Sequence, residues 1–172
     1  MPLIKDNAFA DDHFTTVNDD EPMPENGTIV SLARLRRDRD TLLVRNAPLG
    51  VRLKADETPE TLGGDLHRLS VVVLEFPKFR DGRAFSWARM LRTRLGFKGE
   101  VRASGHFLYD QLAFMKRVGF DSFEVRENFT LAEFERAMGE MRYVYQPSAD
   151  GKPTIRGLRA HAASLDPIPP AP

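Results

Sequence analysis

Apolar and polar positions change period along the chain, and each change marks a new element. Leu49-Gly-Val-Arg-Leu53 alternates with a period of two, as a short strand does. Thr58 and Pro59 then give a helix start, a capping hydroxyl followed by proline at the first helical position. Leu62, Leu66 and Leu69 recur behind them at helical spacing, and Val71-Val-Val-Leu-Glu-Phe76 is the strongest strand signal in the chain. The spacing predicts a second helix over residues 81–95, with Asp81 as N-cap and Ala84, Ala88, Leu91 and Leu95 as its buried stripe. Gly96 and Gly99 end it. A strand over Val101 to Ser104, a helix over residues 106–118 with Leu108, Leu112 and Met115 facing inward, and a strand over Ser122 to Arg126 follow. Thr130-Leu-Ala-Glu133 has capping-box spacing and opens a fourth helix, whose stripe is Leu131, Phe134, Met138 and Met141. Tyr143 to Gln146 is expected as a last strand, closed by Pro147.

Alternating strands and helices imply an α/β domain with a mainly parallel sheet and helical crossovers. Two architectures remain open. A flavodoxin-like three-layer sandwich covers both faces of its sheet with helices, so both should be apolar. Here Glu75, Arg102, Glu124 and Arg126 fall in one phase of their strands, which suits a curved sheet with a polar inner face, a partial (β/α) barrel.

Residues 1–27 carry Asp6, Asp11, Asp12, Asp19, Asp20, Glu21 and Glu25 against Lys5 alone, with Pro22 and Pro24 between them. They are expected as an acidic, loosely packed arm with one short strand near Phe14 to Val17. Residues 28–147 are expected as a single α/β domain. Residues 148–172 form a C-terminal extension ending in a proline-rich tail, 166–172, whose composition cannot build a core.

Bulk composition removes several functions. Lysine plus arginine is 25 and aspartate plus glutamate is 25, a net charge of zero, whereas a general nucleic-acid binder shows a basic excess. The absence of cysteine excludes disulfides, a cysteine nucleophile and iron–sulfur ligation by this chain. His13, His67, His106 and His161 lack metal-ligand spacing, so no metal site is expected. The opening Met-Pro-Leu-Ile-Lys-Asp has no signal-peptide pattern, and no run approaches the roughly 18 apolar residues of a bilayer span. A cytoplasmic location and no membrane partner are the expectations.

Three groups of residues have chemical interest. Lys78, Arg80, Asp81, Gly82, Arg83, Ser86 and Arg89 follow a strand and open a helix. Ligands collect at the carboxyl ends of parallel strands, and a helix N-terminus favours anions. Cations there suit an oxyanion such as sulfite, sulfate or phosphate, or an acidic partner. The plainer reading is that Asp81 only caps the helix, Gly82 relieves a turn and the arginines are solvated. Ser104, Gly105, His106 and Asp110, beside Tyr109, form a second cluster: Gly105 would let a ligand approach the backbone and a histidine can exchange protons. A lone histidine is also an ordinary exposed residue. Glu75, Arg102 and Glu124 make an internal charge cluster, more readily structural than catalytic because buried charges need partners. Arg89, Arg92, Phe85 and Trp87 have the residue types of interface anchors, and equally of ordinary packing. No dinucleotide fingerprint, P-loop or nucleophile elbow appears, so no catalytic motif supports an enzyme, although flavin binding has no comparably compact signature.

The run from Phe76 to Arg92, with Gly99-Glu-Val-Arg-Ala-Ser-Gly-His106, Tyr109-Asp-Gln-Leu112 and Arg117-Val-Gly-Phe-Asp-Ser-Phe-Glu124, resembles the uncharacterised bacterial family catalogued as domain of unknown function 934. The resemblance is close over residues 70–126, general in the N-terminal third and absent from the tail. The family more often has an acidic residue where His106 stands, so no role of that acid passes to His106. Its members bear the label of probable oxidoreductases involved in sulfite reduction, which rests on gene neighbourhood and not on a demonstrated reaction. The resemblance implies an accessory protein of assimilatory sulfite reduction that binds an oxyanion or a partner, either sulfite reductase or its electron donor. The alternatives are a small oxidoreductase with a bound flavin or nicotinamide, and a barrel-like enzyme acting on a phosphorylated metabolite.

Overall fold

The computed structural model describes residues 1–141 and 143–165, so the expected proline-rich tail lies outside the described residues. One sheet contains β1 (Leu3–Lys5), β2 (Ala8–Ala10), β3 (Phe14–Thr16), β4 (Gly27–Ser31), β5 (Leu49–Leu53), β6 (Val71–Phe76), β7 (Glu100–Gly105) and β8 (Ser122–Glu124), in the spatial order β2-β1-β8-β7-β6-β5-β4-β3. Strands β3 to β8 are parallel; β1 is antiparallel to both β8 and β2. The helices are α1 (Leu32–Arg37), α2 (Arg39–Leu43), α3 (Arg83–Thr93), α4 (Leu112–Val118), α5 (Leu131–Glu140) and α6 (Ile155–Leu165), and a 3-10 helix, Pro59–Arg68, links β5 to β6.

The connection between β2 and β3 reveals how far the sheet curls. These two strands are its opposite edges, about 34 Å apart when measured along seven strand spacings. Only Asp11, Asp12 and His13 join them, and four Cα steps reach at most about 15 Å. The edges must therefore bend toward each other. The sheet forms a half-barrel with helices between its strands, the partial (β/α) barrel and not the three-layer sandwich. Val51, Val72, Leu74, Phe76, Val101, Ala103 and Phe123 pack outward in one apolar cluster with Ala84, Ala88 and Leu91 of α3, Leu112 and Met115 of α4, and Phe134 of α5. Ile29, Val71 and Val73 face inward, under Phe14.

The polar residues of the inner face lie in two cross-strand rows. Arg52, Val73, Arg102, Ser122 and Lys5 are register partners in the first; Glu75 and Ser104 pair in the second, and Glu124 pairs with Leu3 at its far end. Arg102, with 1% of its side chain exposed, meets Asp12 through two hydrogen bonds of 2.7 and 3.1 Å and Glu100 through one of 2.9 Å. Glu124 lies 3.7 Å away, and the Phe14 ring 5.7 Å. Glu100 also accepts from Lys5 at 2.7 Å and Ser122 at 2.6 Å. Burial would raise the pKa of Glu100, but the hydrogen bonds from Lys5 and Ser122 and the charge of Arg102 outweigh it and hold the carboxyl below its ordinary value.

The first 27 residues, expected as a loosely packed arm with one strand, supply three strands. Leu3 and Ile4 are buried, and β3 forms within the expected segment. Asp6 and Asn7, at φ 52° and 63°, make the two-residue turn of the β1–β2 hairpin. Much of the acidity has structural work: Asp12 meets Arg102, and Asp19 accepts the Ser31 hydroxyl at 2.6 Å. Arg34, itself buried, donates to the carbonyls of Asn18 and Glu21.

Several boundaries differ from expectation. The segment after Thr58 is a 3-10 helix kinked at Gly63, though Leu62, Leu66 and Leu69 are buried as the spacing requires. α3 starts two residues late, and Leu95 lies past its end, 36% exposed. α4 starts only at Leu112, after the turn Tyr109–Gln111, which leaves Leu108 exposed instead of inward. β8 ends at Glu124, so Arg126 projects beyond the inner face. Tyr143 to Gln146 form no strand, although Val144 is buried and its carbonyl accepts from Ile155. The Thr130–Glu133 capping box forms as its spacing predicts.

Because Glu100 has a depressed pKa, it contributes stability that is complete above the unfolded glutamate value and is lost as pH falls through the folded one. Thermal melts should therefore show Glu100→Gln well below the parent at pH 7, with the gap closing below about pH 4.3, the unfolded value. A gap independent of pH would show that the carboxylate's charge contributes nothing.

Candidate functional site

The carboxyl ends of β6, β7 and β8 open into a cleft of about 1160 Å³. Three loops and the N-terminus build it. Pro77 to Arg80 follow β6; Gly105 to Tyr109 end and follow β7; Glu124 to Arg126 end and follow β8; Phe129 and Met1 complete the wall. Parallel strands all point their carboxyl ends the same way, so the loops that leave them meet at one rim.

Gly105 fixes the geometry of that rim. Its φ is +97°, and a Cβ there would sit 2.5 Å from the Phe76 carbonyl oxygen. That same oxygen accepts the His106 N–H at 2.7 Å, which locks the loop after β7 to the end of β6. Only glycine fits so close a backbone approach. The aromatic floor below is continuous: Phe76 meets Phe107 and Phe120 at centroid distances of 5.9 and 5.8 Å, and Phe107 meets Phe123 at 6.3 Å.

The expected site residues separate into groups. Lys78, Arg80, Gly105 and His106 line the cleft. Lys78 and Arg80 are exposed, and no ion pair among the described residues engages either; Arg80 lies over the Phe79 ring at 5.4 Å. Arg83 and Asp81 instead satisfy each other through side-chain hydrogen bonds of 2.9 and 2.6 Å, and Asp81 also accepts the Arg83 backbone N–H at 3.2 Å. The Arg83 side-chain bonds, chiefly, hold Asp81 down at about 2. Gly82, not Asp81, occupies the N-cap of α3, and a Cβ on it would meet nothing nearer than Phe85 at 4.0 Å. Ser86 and Arg89 are exposed on α3 and Asp110 on the turn after β7, and none of these three lines the cleft.

Ser104 is buried under the rim, accepting from Arg52 at 3.0 Å and donating to Glu124. Of the expected charge cluster, Arg102 and Glu124 come together, whereas Glu75 joins no ion pair among the described residues. Asp12, Glu100, Lys5 and Arg52 take part instead. Apart from the exposed Arg89, the anchor types on α3 turn inward: Trp87 donates to the Ala55 carbonyl at 3.1 Å and Phe85 packs edge-on against Phe76. Arg92 donates to the carbonyls of Phe97, Gly99 and Gly119 and pairs with Asp121. Sequence reasoning missed Arg126 and Phe129 as cleft walls. Arg126 stands in the same phase as Glu124, two residues beyond the end of the strand, which is the one signal that points to it.

No three or more histidines, cysteines and acids among the described residues are grouped to hold a metal ion. No described helix is long and apolar enough to cross a membrane. The cleft sets exposed cations, Lys78 and Arg80, beside apolar and aromatic walls, with Glu124 among its lining residues. Residues 50–155, more than half of the chain, match the model of a family described as Bacterial protein of unknown function (DUF934). No curated protein matches the chain.

The two glycines should respond oppositely to alanine. Gly105→Ala should lose about 1–3 kcal/mol in urea unfolding, through a strained φ and a backbone clash. Gly82→Ala should leave stability unchanged or slightly raised. Equal effects would contradict the rim geometry.

Proposed function

We propose, for a chain that belongs to the DUF934 family of bacterial proteins of unknown function, that it is an accessory protein of assimilatory sulfite reduction and acts in the cytoplasm by binding. Its cleft takes an anionic group, carried by an oxyanion or by an acidic surface of sulfite reductase or its electron donor. The observation that carries the binding half is the pair Lys78 and Arg80: exposed cations on a concave wall, without the carboxylate partners that occupy Arg83, Arg39 and Arg102. An unpaired guanidinium forms strong, two-pronged hydrogen bonds with oxyanions and carboxylates. The pathway half rests on the resemblance over residues 70–126, whose first motif, Phe76 to Arg92, contains this cationic wall. No catalytic step is assigned, since a binding role needs none.

Deleting the gene should slow growth on sulfate or sulfite and leave growth on cysteine normal. A Lys78→Glu, Arg80→Glu double variant should fail to restore growth, while Arg89→Glu, outside the cleft, should restore it. Equal growth on all three sulfur sources would remove the pathway, and full rescue by the double variant would remove the cleft.

A further inference from the structure

The cleft is far larger than a simple oxyanion needs. A tetrahedral anion would occupy a small part of about 1160 Å³ and would leave the aromatic walls unfilled. Those walls are Phe79 and Leu108, roughly half exposed, with Phe107, Tyr109 and Phe129. Concave apolar sites of this size hold molecules as large as cofactors, with a few polar groups fixing orientation. The cations sit at one side, on the loop after β6, with Arg126 across the mouth on the loop after β8. Arg126 is two-thirds exposed, pairs with Glu133 at 2.7 Å and lies over the Phe129 ring at 5.9 Å.

We infer that the cleft binds a phosphorylated compound with a planar heteroaromatic ring, the ring lying against Phe79 and Phe107 and the phosphate meeting Lys78 and Arg80. The two halves of such a ligand would meet different groups. Aromatic faces stack on flat rings and tolerate many of them, since every such ring presents a π-face. Guanidinium and ammonium groups take the phosphate. Arg80 lies over one face of the Phe79 ring, which keeps a cation beside the aromatic wall and leaves the other face of that ring for a ligand. The helix N-terminus of α3 takes no part, because Asp81 already occupies the Arg83 N–H. The inference rests on the cleft as the binding site proposed above, and names its ligand class.

The test is titration of the full chain with flavin mononucleotide, adenosine monophosphate, riboflavin, ribose 5-phosphate, inorganic phosphate and sulfate, by calorimetry and by quenching of flavin fluorescence. At least one compound with both ring and phosphate should bind about tenfold or more tighter than either half alone. Phe79→Ala and Arg80→Ala should each weaken it by about tenfold; both side chains are exposed, so the fold should survive, which a melt checks. Arg89→Ala should change nothing. If phosphate and sulfate bind as tightly as the ring compounds, the ring is irrelevant and the inference fails while the anion site stands. If no small molecule binds but the reductase is still captured through Lys78 and Arg80, the cleft holds a protein segment and the inference again fails. If neither occurs, both the inference and the proposed function fall.

Discussion

A guanidinium removed from water needs carboxylates around it, and Arg102 meets that need by drawing the ends of the chain together. Its partners are Glu100, on its own strand, Glu124 on β8, and Asp12, ninety residues earlier in sequence. Asp12 lies in the three-residue connection that must pass from one edge of the sheet to the other. Pairing it with Arg102 fixes that connection across the concave face. Phe14 then covers Ile29, Val71 and Val73, and Lys5 reaches Glu100 from the other side. An apolar inner face closed by helices would need no such network; a curled sheet whose hollow is filled by its own N-terminal segment does.

The closure also shapes the cleft. Met1 forms part of the wall because β1 pairs with β8, and β1 is held there by the same network through Lys5. Glu124 belongs to both places, one side facing Arg52, Ser104 and Arg102, the other edge reaching the cleft.

The elements from β5 to α5 were legible because their periods are clean: Val72, Leu74 and Phe76 alternate with Glu75 and its neighbours, and the face carrying Glu75, Arg102 and Glu124 faces inward as that phase implies. The N-terminal hairpin was not legible. Leu3–Lys5 and Ala8–Ala10 are too short to display a period, and the acids around them look like solvation when some of them are partners for Arg102 and Ser31. Asp6-Asn7, a turn pair between Leu3-Ile4-Lys5 and the apolar Ala8-Phe9-Ala10, was the available hairpin signal. The candidate site was half legible. Lys78, Arg80, Gly105 and His106 follow strong strands, whereas Arg126 and Phe129 reach the cleft only because three loops converge. The fate of Arg83 turned on a partner two residues away, a competition between pairing and ligand binding that residue types alone do not decide.

The dependence on Arg102 can be measured as a coupling. Asp12→Ala, Arg102→Met and the double variant, compared by urea unfolding, form a cycle across the concave face. If the pair of exposed Asp12 and buried Arg102 fastens the N-terminal segment, the two losses will be non-additive by between about 0.5 and 3 kcal/mol, with the second substitution costing less once the first is made. Strictly additive losses would mean that Asp12 and Arg102 contribute independently, and the closure of the half-barrel would have to rest on some other contact.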